Sequence, residues 1–144
     1  MQNHIVEIGR INIMDQKVKT CLMFSHKAEQ AVKFYTSVFK ESEIKDIIYF
    51  DENVSLGERK VMHGIFVLKG EEIMFMDSTV DHDFTFTPSL SIFINCENEE
   101  EIDRMFQELS NHGKILIPLE SYDYSRKYGW VEDEYGVSWQ LNLE

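Results

Sequence analysis

Basic clusters are what this sequence has least of. Fourteen Lys and Arg stand against 26 Asp and Glu, a formal net charge of -12, and no basic run exceeds Arg59-Lys60 or Arg126-Lys127. Nucleic acid and anionic membrane surfaces both need cationic patches, so neither is an expected partner. Two cysteines, Cys21 and Cys96, cannot build a disulfide framework. No apolar stretch approaches the ~18 residues of a membrane span, and the first residues carry Glu7 and Arg10 without the apolar run of a signal peptide. A soluble protein in the reducing cytoplasm is the expectation. Two prolines and seven glycines leave little room for disordered linkers. Also missing is a glycine-rich strand-to-helix loop with an acidic residue downstream, the device that holds adenosyl cofactors in doubly wound folds. No cofactor is expected.

What is present is a core. Ten Phe, six Tyr and two Trp in 144 residues suffice for one domain of ordinary size. Residues 1–16 read as an N-terminal appendage, because the periodic pattern begins only after Asp15. KVKTCLMF, residues 17–24, has the length and β-propensity of a buried strand. In the stretch after it, Ala31, Phe34, Tyr35 and Val38 recur at i, i+3, i+4 and i+7, the stripe of an amphipathic helix. Strands are expected at 43–51, 60–68 and 71–77, the last two joined by a hairpin at Lys69-Gly70. The order then recurs: a strand at 89–96, a helix with Ile102, Met105, Phe106 and Leu109 at the same spacings, and strands at 114–119, about 126–132 and 137–143. One offset of 71 maps Ala31 onto Ile102 and Thr20 onto Ser91. Two βαβββ modules, residues 17–77 and 88–143, are therefore expected within a single domain, residues 17–144.

A duplicated βαβββ unit resembles the glyoxalase/bleomycin-resistance/extradiol-dioxygenase superfamily, also called vicinal oxygen chelate. The stretches TCLMFSHKAEQAVKFYTSVF, VLKGEEIMFMDS, FTFTPSLSIFINCENEEEID and GWVEDEYGVSWQLN are similar to its PhnB-like branch, often labelled 3-demethylubiquinone-9 3-methyltransferase domain. The resemblance implies an α+β fold in which curved mixed sheets surround a cup. In metal-using relatives the cup holds a divalent cation on four side chains, commonly His, Glu, His and Glu. The corresponding positions here are Thr20, Met74, Ser91 and Gln140. None is a good ligand for such a cation: two are hydroxyls, one a soft thioether and one a neutral amide. The expectation is a cup without a metal. The methyltransferase label itself has no residue behind it.

Alternation along the strands extends the candidate list. If Thr20 faces the cup, so do Leu22 and Phe24; if Ser91 does, so do Phe93 and Asn95. A two-residue turn at Lys69-Gly70 would pair Met74 with Ile65 and Met76 with His63. The expected ligand-binding set is Thr20, Leu22, His63, Met74, Met76, Ser91, Phe93 and Gln140, suited to a small, largely apolar molecule with a few polar handles. His63 is the one candidate general base, with no evident carboxylate to orient it. Cys21 is expected to point the other way, towards the helix. Asp81-His82-Asp83 reads as a solvated loop. Trp139 and Leu141 should pack beneath the helices, while Tyr128 and Trp130 are assigned to core in preference to the cup mouth. Phe84 and Phe86 suit either a cup cover or a subunit interface.

The functional expectation is a homodimer that binds a small molecule. Two other classes stay open: a metal-dependent lyase, isomerase or oxygenase of the same superfamily with ligands elsewhere, and a non-catalytic protein-interaction module.

Overall fold

A computed structural model describes residues 16–52 and 59–144. The chain divides into two compact units, Met1–Asp81 and His82–Glu144. The appendage expected over residues 1–16 lies outside the described residues except for Gln16.

Unit 1 runs β1 (Thr20–Phe24), α1 (Ala28–Val38), β2 (Ser42–Tyr49), β3 (Val61–Leu68) and β4 (Glu71–Asp77). Its sheet has the order β1-β4-β3-β2. β1 is parallel to β4, and the other pairs are antiparallel. Lys69 (φ 49°) and Gly70 (φ 88°) form the two-residue turn between β3 and β4, both in the left-handed region that such hairpins require. The helix covers one face, with Ala31, Val32, Tyr35 and Val38 fully buried. Beneath it the Tyr35 and Phe66 rings lie 6.1 Å apart, and Phe66 and Phe75 6.0 Å apart. Gly64 makes that packing possible: a Cβ there would fall 2.3 Å from the Phe75 ring.

α1 starts at a left-handed Lys27 with no side-chain cap of its own. Asp77, at the end of β4, supplies one from across the unit. Its Oδ1 accepts from Ala28 N (3.0 Å) and its Oδ2 from Val61 N (2.9 Å), tying helix, β3 and β4 together.

Unit 2 repeats the order: β5 (Ser91–Asn95), α2 (Glu99–Ser110), β6 (Lys114–Tyr122), β7 (Ser125–Glu132) and β8 (Ser138–Leu143). Its sheet order is β5-β8-β7-β6, with β5 parallel to β8. Ile102, Met105, Phe106 and Leu109 of α2 are buried, as their spacing predicts. Asn98 caps α2 by accepting from Glu101 N (2.8 Å). Asp133 holds the turn into β8, accepting from Tyr135 N (2.8 Å), Val137 N (3.0 Å) and Trp139 Nε1 (2.8 Å). Both units are thus βαβββ, the fold class is α+β with two four-stranded mixed sheets, and no helix among the described residues is long and apolar enough to cross a membrane.

Two details depart from the sequence reading. In α1 the buried stripe is Ala28, Ala31, Val32, Tyr35 and Val38, so Val32 takes the place expected of Phe34. In β1 the facing is inverted. Leu22 pairs with Phe75 and Phe24 with Asp77, and both are buried on the helix-covered face. Thr20, opposite Ile73, has the same parity. Cys21 and Met23 face the uncovered side, against the expectation for Cys21. The cause is that β1 is apolar at both parities, so its own pattern carries no sign, and a one-residue slip turns every side chain over.

Asp77→Ala leaves two buried N–H groups without an acceptor. It is expected to destabilise the protein by about 2–4 kcal/mol, measured as a fall in the urea unfolding midpoint.

Candidate functional site

The uncovered face of unit 2 carries an oriented chain of hydrogen bonds. Ser91, Phe93 and Asn95 on β5 share this face with Ser138, Gln140 and Asn142 on β8, in register as parallel partners. Trp139, Leu141 and Leu143 take the opposite parity and are buried at 2% exposure or less. Tyr128 and Trp130, opposite Asn142 and Gln140 on β7, share this parity; Tyr128 is buried in the core as expected, at 7% exposure, and Trp130 is half-buried. Tyr128 Oη donates to Gln140 Oε1 (2.5 Å), and Gln140 Nε2 donates to Ser91 Oγ (2.7 Å). Trp130 Nε1 donates to Ser138 Oγ (2.8 Å), and Asn142 Nδ2 to Asn95 Oδ1 (3.0 Å).

Burial raises the Tyr128 pKa above its ordinary value, and Tyr124 and Tyr122 add to the rise. The group is a hydroxyl at neutral pH and donates to the amide oxygen, which leaves the amide NH2 to Ser91. Ser91 Oγ receives that bond and keeps its own O–H to give. Beside it Phe93, the partner of Gln140, is 52% exposed. Tyr122, Tyr124 and Tyr128 form a ring cluster with centroids 5.8–6.0 Å apart. Outside this face, Phe84 is exposed and stacks on His82 at 4.5 Å, and Phe86 is half-buried.

Unit 1 presents a different uncovered face. Cys21 pairs with Met74 and Met23 with Met76 along β1 and β4. Ile65 on β3 is opposite Met74, as expected, and His63 shares the parity of Ile65. His63 is half-buried and has no hydrogen-bond partner among the described residues, so no carboxylate orients it there. Thr20 and Met74, brought together by the resemblance, lie on opposite faces of the sheet; Leu22 likewise leaves the uncovered face. Ser91 and Gln140, by contrast, are in direct contact. Cys96 is buried, with its Sγ 3.9 Å from Met105 Sδ. Among the described residues, no group of three or more His, Cys, Asp or Glu side chains could hold a metal ion.

At the rim of the same face sits Glu72, only 4% exposed. Its carboxylate takes Lys45 Nζ at 2.5 Å and Lys19 Nζ at 3.2 Å. Gln16 brackets its backbone, accepting from Glu72 N (3.2 Å) and donating to Glu72 O (3.4 Å). Burial alone would raise the Glu72 pKa, but the two lysines outweigh it and the net shift is downward. Strand alternation gave no sign of this triad, because Lys45 reaches Glu72 from the irregularity in β2 between Ile44 and Asp46.

A sequence profile of the 3-demethylubiquinone-9 3-methyltransferase family matches residues 16–142. The chain belongs to this family. A solved structure of the family, a putative 3-demethylubiquinone-9 3-methyltransferase, PhnB protein, from Bacillus cereus, is 53% identical with a TM-score of 0.85, over 90% of this chain and 100% of that one. Protein YjdN of Escherichia coli (strain K12) is 24% identical over 83 residues, 58% of this chain and 56% of that protein. The chain thus spans about half the length of that curated relative. A glyoxylase/bleomycin resistance protein/dioxygenase domain from Frankia sp. EAN1pec shares the fold at 11% identity and a TM-score of 0.64, over 89% of this chain and 91% of that one. The family is thus PhnB-like, and it shares its fold with that glyoxylase/bleomycin resistance protein/dioxygenase domain.

The lowered pKa of Glu72 makes its ion pairs a source of stability at neutral pH. That contribution is complete above the ordinary glutamate value of about 4.3 and is lost as pH falls through the lower folded value. Glu72→Gln is expected to lower the melting temperature at pH 7 and to flatten the decline in acid, read from melting curves between neutral and acidic pH.

Proposed function

We propose that this PhnB-like protein binds a small, largely apolar molecule against the uncovered face of unit 2, and does so without the metal of its metal-using relatives. The observation that carries the reading is the Tyr128–Gln140–Ser91 chain beside the exposed Phe93 ring. Phe93 and the tyrosine cluster offer apolar contact. The Ser91 O–H and the second N–H of Gln140 offer two donors in fixed directions. A ligand with one acceptor group on an apolar body matches that arrangement.

Donor chemistry supports the metal-free part. Divalent cations of the Zn2+, Fe2+ or Ni2+ kind are held by thiolate, imidazole or carboxylate. Ser91 and Gln140 supply a hydroxyl and an amide oxygen, and both oxygens already accept hydrogen bonds. Binding a cation there would break the chain without any gain of anionic charge. The family description names a methyl transfer, and the activity in that name is not carried over to this chain. The proposal is a binding function.

The same reading makes the protein a cytoplasmic homodimer, and its net charge of -12 supports the further reading that it takes neither nucleic acid nor an anionic membrane surface. A monomeric mass in solution at micromolar concentration would contradict the dimer.

The test is a thermal-shift screen of small amphipathic molecules, since a ligand of the native state raises the melting temperature, followed by affinity measurement on Gln140→Leu. The variant is expected to fold and to bind a hit more weakly by roughly 1–3 kcal/mol. An unchanged affinity with an altered melting temperature would make Gln140 a structural clamp and end the proposal.

A further inference from the structure

The inverted facing of β1 assembles a set of side chains that the sequence pattern kept apart. Cys21 and Met74 are neighbours across the parallel β1–β4 pair, and Met23 and Met76 are the next pair along. His63 adds an imidazole from β3 on the same face. Five side chains, three thioethers, one thiol and one imidazole, therefore share the uncovered side of one sheet. All but the exposed Cys21 are half-buried, so the set is neither sealed in the core nor fully solvated.

Their chemistry is selective. Thioether sulfur is a soft, neutral donor, and a set with three thioethers and a single thiol favours Cu+ over Zn2+, which needs more anionic or imidazole ligands. Neighbouring strands lie about 4.8 Å apart, and two metal–sulfur bonds of about 2.3 Å each can bridge facing side chains at that spacing. Methionine's unbranched, flexible side chain lets its sulfur adjust to the ion.

We propose that the uncovered face of unit 1 is a binding site for a soft monovalent metal ion, Cu+ or its analogue Ag+, held by Cys21 and Met74 and completed by Met23, Met76 or His63. Binding replaces the Cys21 thiol proton, which passes to solvent, with a Cu–S bond; no electron is transferred. The donor set differs from the oxygen and imidazole set of the superfamily's metal-using members. It lies within unit 1, so it stands or falls independently of the unit 2 reading.

The test uses the full chain, reduced and under nitrogen, in competition with bicinchoninate for Cu+. Wild-type protein is expected to withdraw one Cu+ per chain from the coloured complex. Cys21→Ser is expected to weaken this at least 10-fold. The double variant Met74→Leu/Met76→Leu, which keeps apolar volume at both positions, is expected to do the same while its melting temperature stays close to wild type. Cys96→Ser is expected to bind like wild type. The proposal is overturned if wild-type protein withdraws no Cu+, if the methionine double variant binds as tightly as wild type, or if affinity is lost in Cys96→Ser and kept in Cys21→Ser.

Discussion

A single helix lies across each four-stranded sheet, on one face only, and strand alternation then divides every strand between a covered and an uncovered side. Most of what is distinctive about this chain follows from that division. On β8 the covered parity is Trp139, Leu141 and Leu143, while the other parity is Ser138, Gln140 and Asn142. On β4 the covered parity is Ile73, Phe75 and Asp77, leaving Glu72, Met74 and Met76. The covered faces resemble one another because both must exclude water. The faces without a helix differ, one polar and hydrogen-bonded and the other rich in sulfur.

Gln140 shows why neutrality suits its position. A carboxylate there would accept from Tyr128 as the amide does, but it could not donate to Ser91. Half-buried and without a cation, it would carry a desolvation cost that the neutral amide avoids. The amide satisfies both neighbours with no charge to solvate. The Tyr128–Gln140–Ser91 chain is built from neutral groups throughout.

Much of the fold was legible in the sequence. The stripe Ile102, Met105, Phe106, Leu109, the hairpin at Lys69-Gly70 and the recurrence of strand and helix led to the observed element order. Side-chain facing was legible in β5 and β8, where Trp139 and Gln140 differ sharply in polarity and alternation has a clear sign. It was not legible in β1, where Cys21, Leu22, Met23 and Phe24 are all apolar. Alternation from Thr20, placed in the cup by the resemblance, lent Leu22 its expected facing, although the register pairs Leu22 with the covered Phe75. The Tyr128 hydroxyl bond to Gln140 was not foreseen, because an aromatic on a central strand fits either face until its hydroxyl partner is known. Asp77 and Glu72 escaped because their roles depend on contacts from distant segments, Ala28 and Val61 for one, Lys19 and Lys45 for the other.

The claim on which the account rests is that the Tyr128–Gln140–Ser91 chain stands in place of a metal site. The most direct measurement follows the side-chain amide resonances of Gln140 by NMR, assigned through Gln140→Leu, while Zn2+ and then Ni2+ are titrated into chelator-treated protein. The account predicts that these resonances stay where the hydrogen bonds to Tyr128 and Ser91 hold them, up to several equivalents of either ion. A saturable shift of the Gln140 amide at one ion per chain would contradict it.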